Sequence, residues 1–217
     1  IAHPTRYEQN ERGPATYGPA RQVVFSPTLI VVDDDEASDA VTTLPPAAHQ
    51  AAAFIAASHF EAAGTHLPVV RFAQLTRELV RDRNLVRVGR AAFQRRLSAW
   101  LRDSGGGERG GAPPVALRPA NGSQADRVEL GPCGFDSPGV GVMYTSPRVD
   151  EGGTPRLDLV VSGTDDVGLL EITGLRYAFS SQQTLTRPLY TNLFPDFVVA
   201  SAGHWGWRWH AAGRWGN

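Results

Sequence analysis

The sequence contains no lysine; all 21 of its basic residues are arginine. An arginine-only basic set reads as the codon bias of a GC-rich genome. The phosphate-cradling GxxxxGK[ST] loop is absent, and the strand–turn–helix "VVSGTDDVGLL" lacks GxGxxG as well. Cysteine occurs once, at Cys133, which excludes an internal disulfide and any Cys/His zinc spacing. There is no HExxH and no GxSxG elbow. Charge of one sign is also missing. The formal net charge is −1 and the pI about 6.7, which leaves no electrostatic footprint for nucleic acid. The longest apolar run, Ala51 to Ala57, falls far short of the ~20 residues of a membrane span. No internal repeat is present.

What remains is a globular composition. Of 217 residues, 41% are hydrophobic and 20% charged, enough to bury a sizeable core. The chain begins with Ile1 rather than Met, so it is expected to be processed, trimmed or a piece of something longer. Residues 1–20 are polar and rich in turn formers and read as an extended N-terminal arm. Residues 21–217 read as a single α/β domain.

Thr28 to Val32 is a β-branched apolar run, the mark of a strand buried on both faces. Pro45-Pro46 opens a helix rich in alanine that Gly64 stops. "LPVVRF", the helix "AQLTRELVRDR", "NLVRVG" and the helix "AAFQRRLSAWLRDS" follow. Leu75, Leu79 and Val80 share one helical face; Phe93, Leu97, Trp100 and Leu101 form another stripe. Strands and helices that alternate with short connections predict right-handed βαβ units in a parallel sheet. A Gly/Pro-rich loop then spans residues 105–114. "PVALRP", "DRVELG" and "VGVMYTSP" read as short strands of an antiparallel extension. "RLDLVVSG" is a strand, Asp165 or Asp166 caps the next helix with Leu169, Leu170 and Leu175, and "DFVVAS" is a closing strand.

Candidate sites are few. "VVSGTDDVGLL" is a strand, turn and helix start, where open α/β sheets bind ligands. Its two aspartates would repel a phosphate, so a capped helix start is the better reading. Asp33, Asp34 and Asp35 follow the first strand and are weak candidates for Mg²⁺ or Ca²⁺, with a solvated loop as the default. His49 and His59 lie ten apart on one helix and do not form a ligand pair. No cofactor is expected. Asn121-Gly122-Ser123 is an N-glycosylation acceptor. Trp205, Trp207 and Trp209 alternate beside His204, as a contact surface or a stacking platform for a glycan.

"YGPARQVVFSPTLIVV", "AAAFIAASHFEAAGTHLPVV", "NLVRVG", "RLDLVVSGTD" and "LFPDFVVAS" occur in this order. Together they resemble the C-terminal region of secreted prolyl-oligopeptidase-like serine hydrolases. The resemblance covers most of the chain from Gly13. It implies an extracellular location and a non-catalytic neighbour of an α/β-hydrolase domain. The hydrolase's nucleophile elbow has no counterpart here, so no catalytic residue carries over. The expected fold is a three-layer, flavodoxin-like, mainly parallel α/β domain with a small antiparallel β extension over residues 115–146. The expected function is an accessory or assembly domain. Its partners would be an upstream hydrolase domain or other chains of the same assembly. Two alternatives stand beside it. One is a hydrolase using Cys133, Ser137 or Ser162 with His204; the other is a carbohydrate-binding module using the C-terminal tryptophans.

Overall fold

The strand expected at residues 28–32 forms as β1 (Thr28–Val32), buried along its whole length. Ile30 and Val32 enter one core while Leu29 and Val31 enter another. Both faces are covered, which is why the sequence there shows no polar alternation. The computed structural model describes residues 23–24, 26–34, 45–108, 115–120, 126–174, 197–203 and 206–213. The expected arm over residues 1–20 lies outside them.

Helix α1 (Ala47–Ala63) starts after Pro46 and ends at Gly64. Gly64 is left-handed, with φ +68°, and its N–H donates to the Phe60 carbonyl at 2.8 Å. β2 (Val69–Arg71) returns parallel to β1. The single helix expected next is broken in two: a 3₁₀ turn over Phe72–Gln74, then α2 (Arg77–Arg81). Two caps explain the break. The Asp34 carboxylate takes the Ala73 N–H, and Thr76 Oγ1 accepts from Leu79 N at 3.3 Å and starts the chain afresh. β3 (Asn84–Val88) lies parallel to β1 on the side away from β2, and α3 (Ala91–Asp103) buries Phe93, Leu97 and Leu101.

The second half departs from expectation. The start of the Gly/Pro-rich loop is a short strand, β4 (Gly107–Glu108). β5 (Val115–Arg118), β6 (Arg127–Leu130) and β7 (Cys133–Phe135) form a separate three-stranded antiparallel sheet, not an extension of the main one. Cys133 lies on β7 and is exposed. β8 (Val140–Val149) and β9 (Pro155–Gly163) form a long antiparallel hairpin inside the main sheet. Helix α4 (Asp166–Gly174), β10 (Phe197–Gly203) and β11 (Gly206–Gly213) complete it.

The main sheet runs β11-β10-β8-β9-β3-β1-β2, with β4 paired to β8. Only β2-β1-β3-β9 is parallel; β8, β10 and β11 each run antiparallel to their neighbours. The sheet is therefore mixed where a mainly parallel one was expected. The physical reason is the tight β8–β9 turn: a hairpin reverses direction, whereas a parallel neighbour needs a crossover.

One face of this sheet packs on α1 and α4 through Ala51, Ala52, Ile55, Leu169 and Ile172. The other face carries two separate clusters. Val80, Phe93, Leu97 and Leu101 of α2 and α3 cover β1 and β3. Val115 and Val128 of the small sheet cover Val142, Tyr144, Val160 and Val199. The small sheet is thus a third-layer element where a helix would otherwise sit.

Candidate functional site

In an open α/β sheet, ligands sit beyond the carboxyl ends of the parallel strands. Here that edge is built by Asp33 and Asp34 after β1, Gly89 and Arg90 after β3, and Thr164 to Asp166 after β9. The small sheet adds Asp126 to it.

Asp126 occupies the position where such folds hold an anion. Its Oδ2 accepts from Ala91 N, the first N–H of α3, at 3.2 Å, and from Arg90 Nε at 2.9 Å. Its Oδ1 accepts from Ala120 N at 2.7 Å, and its own N–H donates to the Thr164 carbonyl at 3.0 Å. The carboxylate is buried and meets the positive end of the helix. Arg90 also reaches Asp166 at 3.5 Å and the Thr164 carbonyl at 3.4 Å. Burial works against the Arg90 charge, but Asp126 and Asp166 overcome it and raise its pKa further.

The other carboxylates of this edge are also used. Asp165, as the sequence suggested, caps α4: its Oδ1 accepts from Gly168 N at 2.8 Å. The same carboxylate holds Gly139 N at 3.0 and 3.1 Å. Of the weak metal candidates, Asp33 pairs with Arg96 of α3 and Asp34 caps the 3₁₀ turn; Asp35 lies outside the described residues. The Asp33 carbonyl meets His49 Nε2 at 3.1 Å. No group of three or more His, Cys, Asp or Glu side chains suited to a metal occurs among the described residues.

The hydrolase alternative named Cys133, Ser137 and Ser162. Ser162 is fully buried, and its hydroxyl finds no partner among the described residues. The Ser137 carbonyl accepts from Thr164 Oγ1 at 2.8 Å. His49, His59 and His66 are engaged elsewhere: with the Asp33 carbonyl, with Thr65 and against the Phe60 ring. His204, Trp205 and Asn121 lie outside the described residues. Trp207 and Trp209 belong to β11, where they pair with Ala202 and Ala200, so the segment read as a tail is a strand.

Sequence reasoning missed a second charged cluster, inside the molecule. Asp158 of β9 is completely buried between Arg87 of β3 and Arg148 of β8. Its Oδ2 accepts from Arg87 Nε at 3.0 Å, Arg87 Nη2 at 2.6 Å and Arg148 Nε at 2.9 Å; its Oδ1 takes Leu85 N at 3.0 Å. Arg87 reaches on to Ser98, and Arg148 donates to the Arg83 carbonyl at 2.7 Å. Burial alone would raise the Asp158 carboxyl. The charges of Arg148 and Arg87 win and hold it below the usual carboxylate range. The only local signal was a charge in the middle of each apolar run, "NLVRV" and "RLDLVV".

No family model matches the chain, and neither the curated proteins nor the solved structures yield a match.

Proposed function

We propose that this chain is a non-catalytic accessory domain of a secreted, prolyl-oligopeptidase-like serine hydrolase, and that its task is docking. The partner is the hydrolase domain or further copies of the same assembly. The observation that carries this reading is the self-filled carboxyl edge. Asp126 takes the helix N-terminus that a phosphate or carboxylate ligand would use, with Arg90 locked onto it. Asp165 and Asp33 are likewise committed to the protein's own groups. A domain whose customary ligand crevice is occupied from within has its outer surfaces left for contact. The order β2-β1-β3-β9 supports a flavodoxin-like origin for that half of the sheet. Secretion would expose Asn121 to glycosylation, visible as a mass shift on expression in a glycosylating host.

Native mass spectrometry and sedimentation equilibrium test the reading. The chain should self-associate as its concentration rises, or form a defined complex with the α/β-hydrolase domain of a prolyl-oligopeptidase-like protein. A chain that stays monomeric and binds no such domain would overturn it.

A further inference from the structure

We infer that a cleft at the opposite, amino end of the sheet binds a small organic carboxylate through Arg83. The inference does not depend on the docking reading. The cleft opens to solvent where the chain enters β1, β2 and β3 and offers about 330 Å³. That is within the range of small-molecule pockets, roughly 300–1,000 Å³.

The frame of the cleft is fixed by hydrogen bonds. The Pro27 carbonyl accepts from Asn84 N at 2.9 Å and the Pro68 carbonyl from Ile30 N at 2.9 Å. Thr28 Oγ1 and Asn84 Nδ2 both hold the Val23 carbonyl, at 2.8 and 2.9 Å. The walls are therefore in place before a ligand arrives.

The charge pattern picks the ligand. Five of the described arginines are buried or half-buried: Arg83, Arg87, Arg90, Arg148 and Arg156. Arg87, Arg90, Arg148 and Arg156 each hold an aspartate. Arg83 holds none among the described residues, although it lines the cleft. Its backbone is pinned from both sides, N–H to the Val80 carbonyl at 3.3 Å and carbonyl to Arg148 Nη2 at 2.7 Å. Among the described residues, no acidic side chain lines the cleft. Behind Arg83, the Arg148 that holds its carbonyl belongs to the buried cluster of two arginines and one aspartate, while Asp82 and Asp150 are taken up by Arg156. A half-buried arginine without an acidic partner among the described residues is a natural partner for a carboxylate.

The remaining lining limits the rest of the ligand. Val24 and Leu67 supply apolar surface. Burial lowers the pKa of His59, so its ring is neutral, and its Nε2 lies 3.0 Å from Thr65 Oγ1. The His66 ring stacks on Phe60 with centroids 4.3 Å apart. The fitting molecule is a monocarboxylate with a short aliphatic body, either a free acid or the C-terminal residue of a peptide.

The test is a titration of the whole chain followed through the imidazole NMR signals of His59 and His66. The probes are hexanoate, hexanamide, and the peptide Gly-Gly-Leu with free or amidated C-terminus. The acid forms should shift both signals saturably and the amides should not. Hexanoate alone acting points to a free acid; the free peptide acting as well points to a chain terminus. Arg83→Gln should weaken binding about tenfold or more, the effect of losing a charge-assisted hydrogen bond. Arg83→Lys should retain part of it. His66→Ala, at an exposed ring, should weaken binding without disturbing the fold, and it serves if Arg83→Gln fails to fold. Equal shifts from acid and amide, no shift from any probe, or binding unchanged by these substitutions would overturn the inference.

Discussion

Replacing Asp158 by leucine should be among the most damaging single changes in this protein. The substitution removes four hydrogen bonds to one carboxylate and leaves Arg87 and Arg148 buried without their counter-charge. Breaking a buried ion pair from one side costs about 3–5 kcal/mol. A domain is stable by only about 5–15 kcal/mol in total. With a urea m-value of about 2.5 kcal/mol/M, the midpoint should fall by about 1.5 M. Urea unfolding followed by circular dichroism reads this directly. A drop below about 0.3 M would refute the idea that the cluster's charges are desolvated and mutually dependent. The triple change Arg87→Met, Arg148→Met, Asp158→Leu supplies the counter-test. Replacing a whole buried ionic cluster with apolar groups is often neutral or better, so the triple variant should regain most of the loss.

Further outcomes are expected. Asp158 and Asp150 both have folded-state pKa values below the usual one, Asp150 because bonds from Thr154 and Arg156 outweigh its burial. Their stabilisation is therefore complete above the unfolded carboxylate value of about 3.9 and is lost as pH falls below it, so the urea midpoint should stay flat at neutral pH and fall below about pH 4. Asp126→Ala strips the cap from α3 and the partner from Arg90; it should cost about 2 kcal/mol and speed hydrogen exchange in residues 115–120 and 126–135 while α1 is unchanged. Gly168→Ala would drive a methyl group into the Val140 backbone where α4 crosses β8, costing about 1–3 kcal/mol in thermal or urea unfolding. Cys133 is exposed and should react with iodoacetamide in the native state without loss of stability.

The parallel half was legible because its signals are local. Pro45-Pro46 and Gly64 bracket α1, and the Phe93, Leu97 and Leu101 spacing marks the buried face of α3. The place of β8 was not. Its run "VGVMYTSPRV" shows that a strand forms there, but nothing local says whether it joins the small sheet or enters the main one. That choice is made by its partners on both sides, β9 and β10. The same holds for charge. Arg87 and Asp158 could each be seen interrupting an apolar strand, but their meeting with each other and with Arg148 depends on sheet order. At the carboxyl edge, Asp33 and Asp34 were visible as carboxylates, while their use against Arg96 and Ala73 depends on how α3 and the 3₁₀ turn fold over β1. Asp126 gave no signal, since its role appears only when the small sheet docks.

Arg87 also bears on how the chain assembles as it is made. β1, β2 and β3 are synthesised first, and the outer edge of β3 has no strand beside it until Leu159 to Val161 of β9 emerge. An open, apolar edge of that kind invites pairing with another chain. Arg87 points a charge inward from that edge, and Asp158, 71 residues later, is its buried counter-charge. Until then the charge discourages any strand that does not bring a carboxylate at the matching position. The correct hairpin brings one, together with the bond from Leu85 N to Asp158 that fixes its register. The buried ionic cluster thus ties the edge of β3 to its own β9, because a strand without a carboxylate at that position would leave Arg87 buried without a counter-charge.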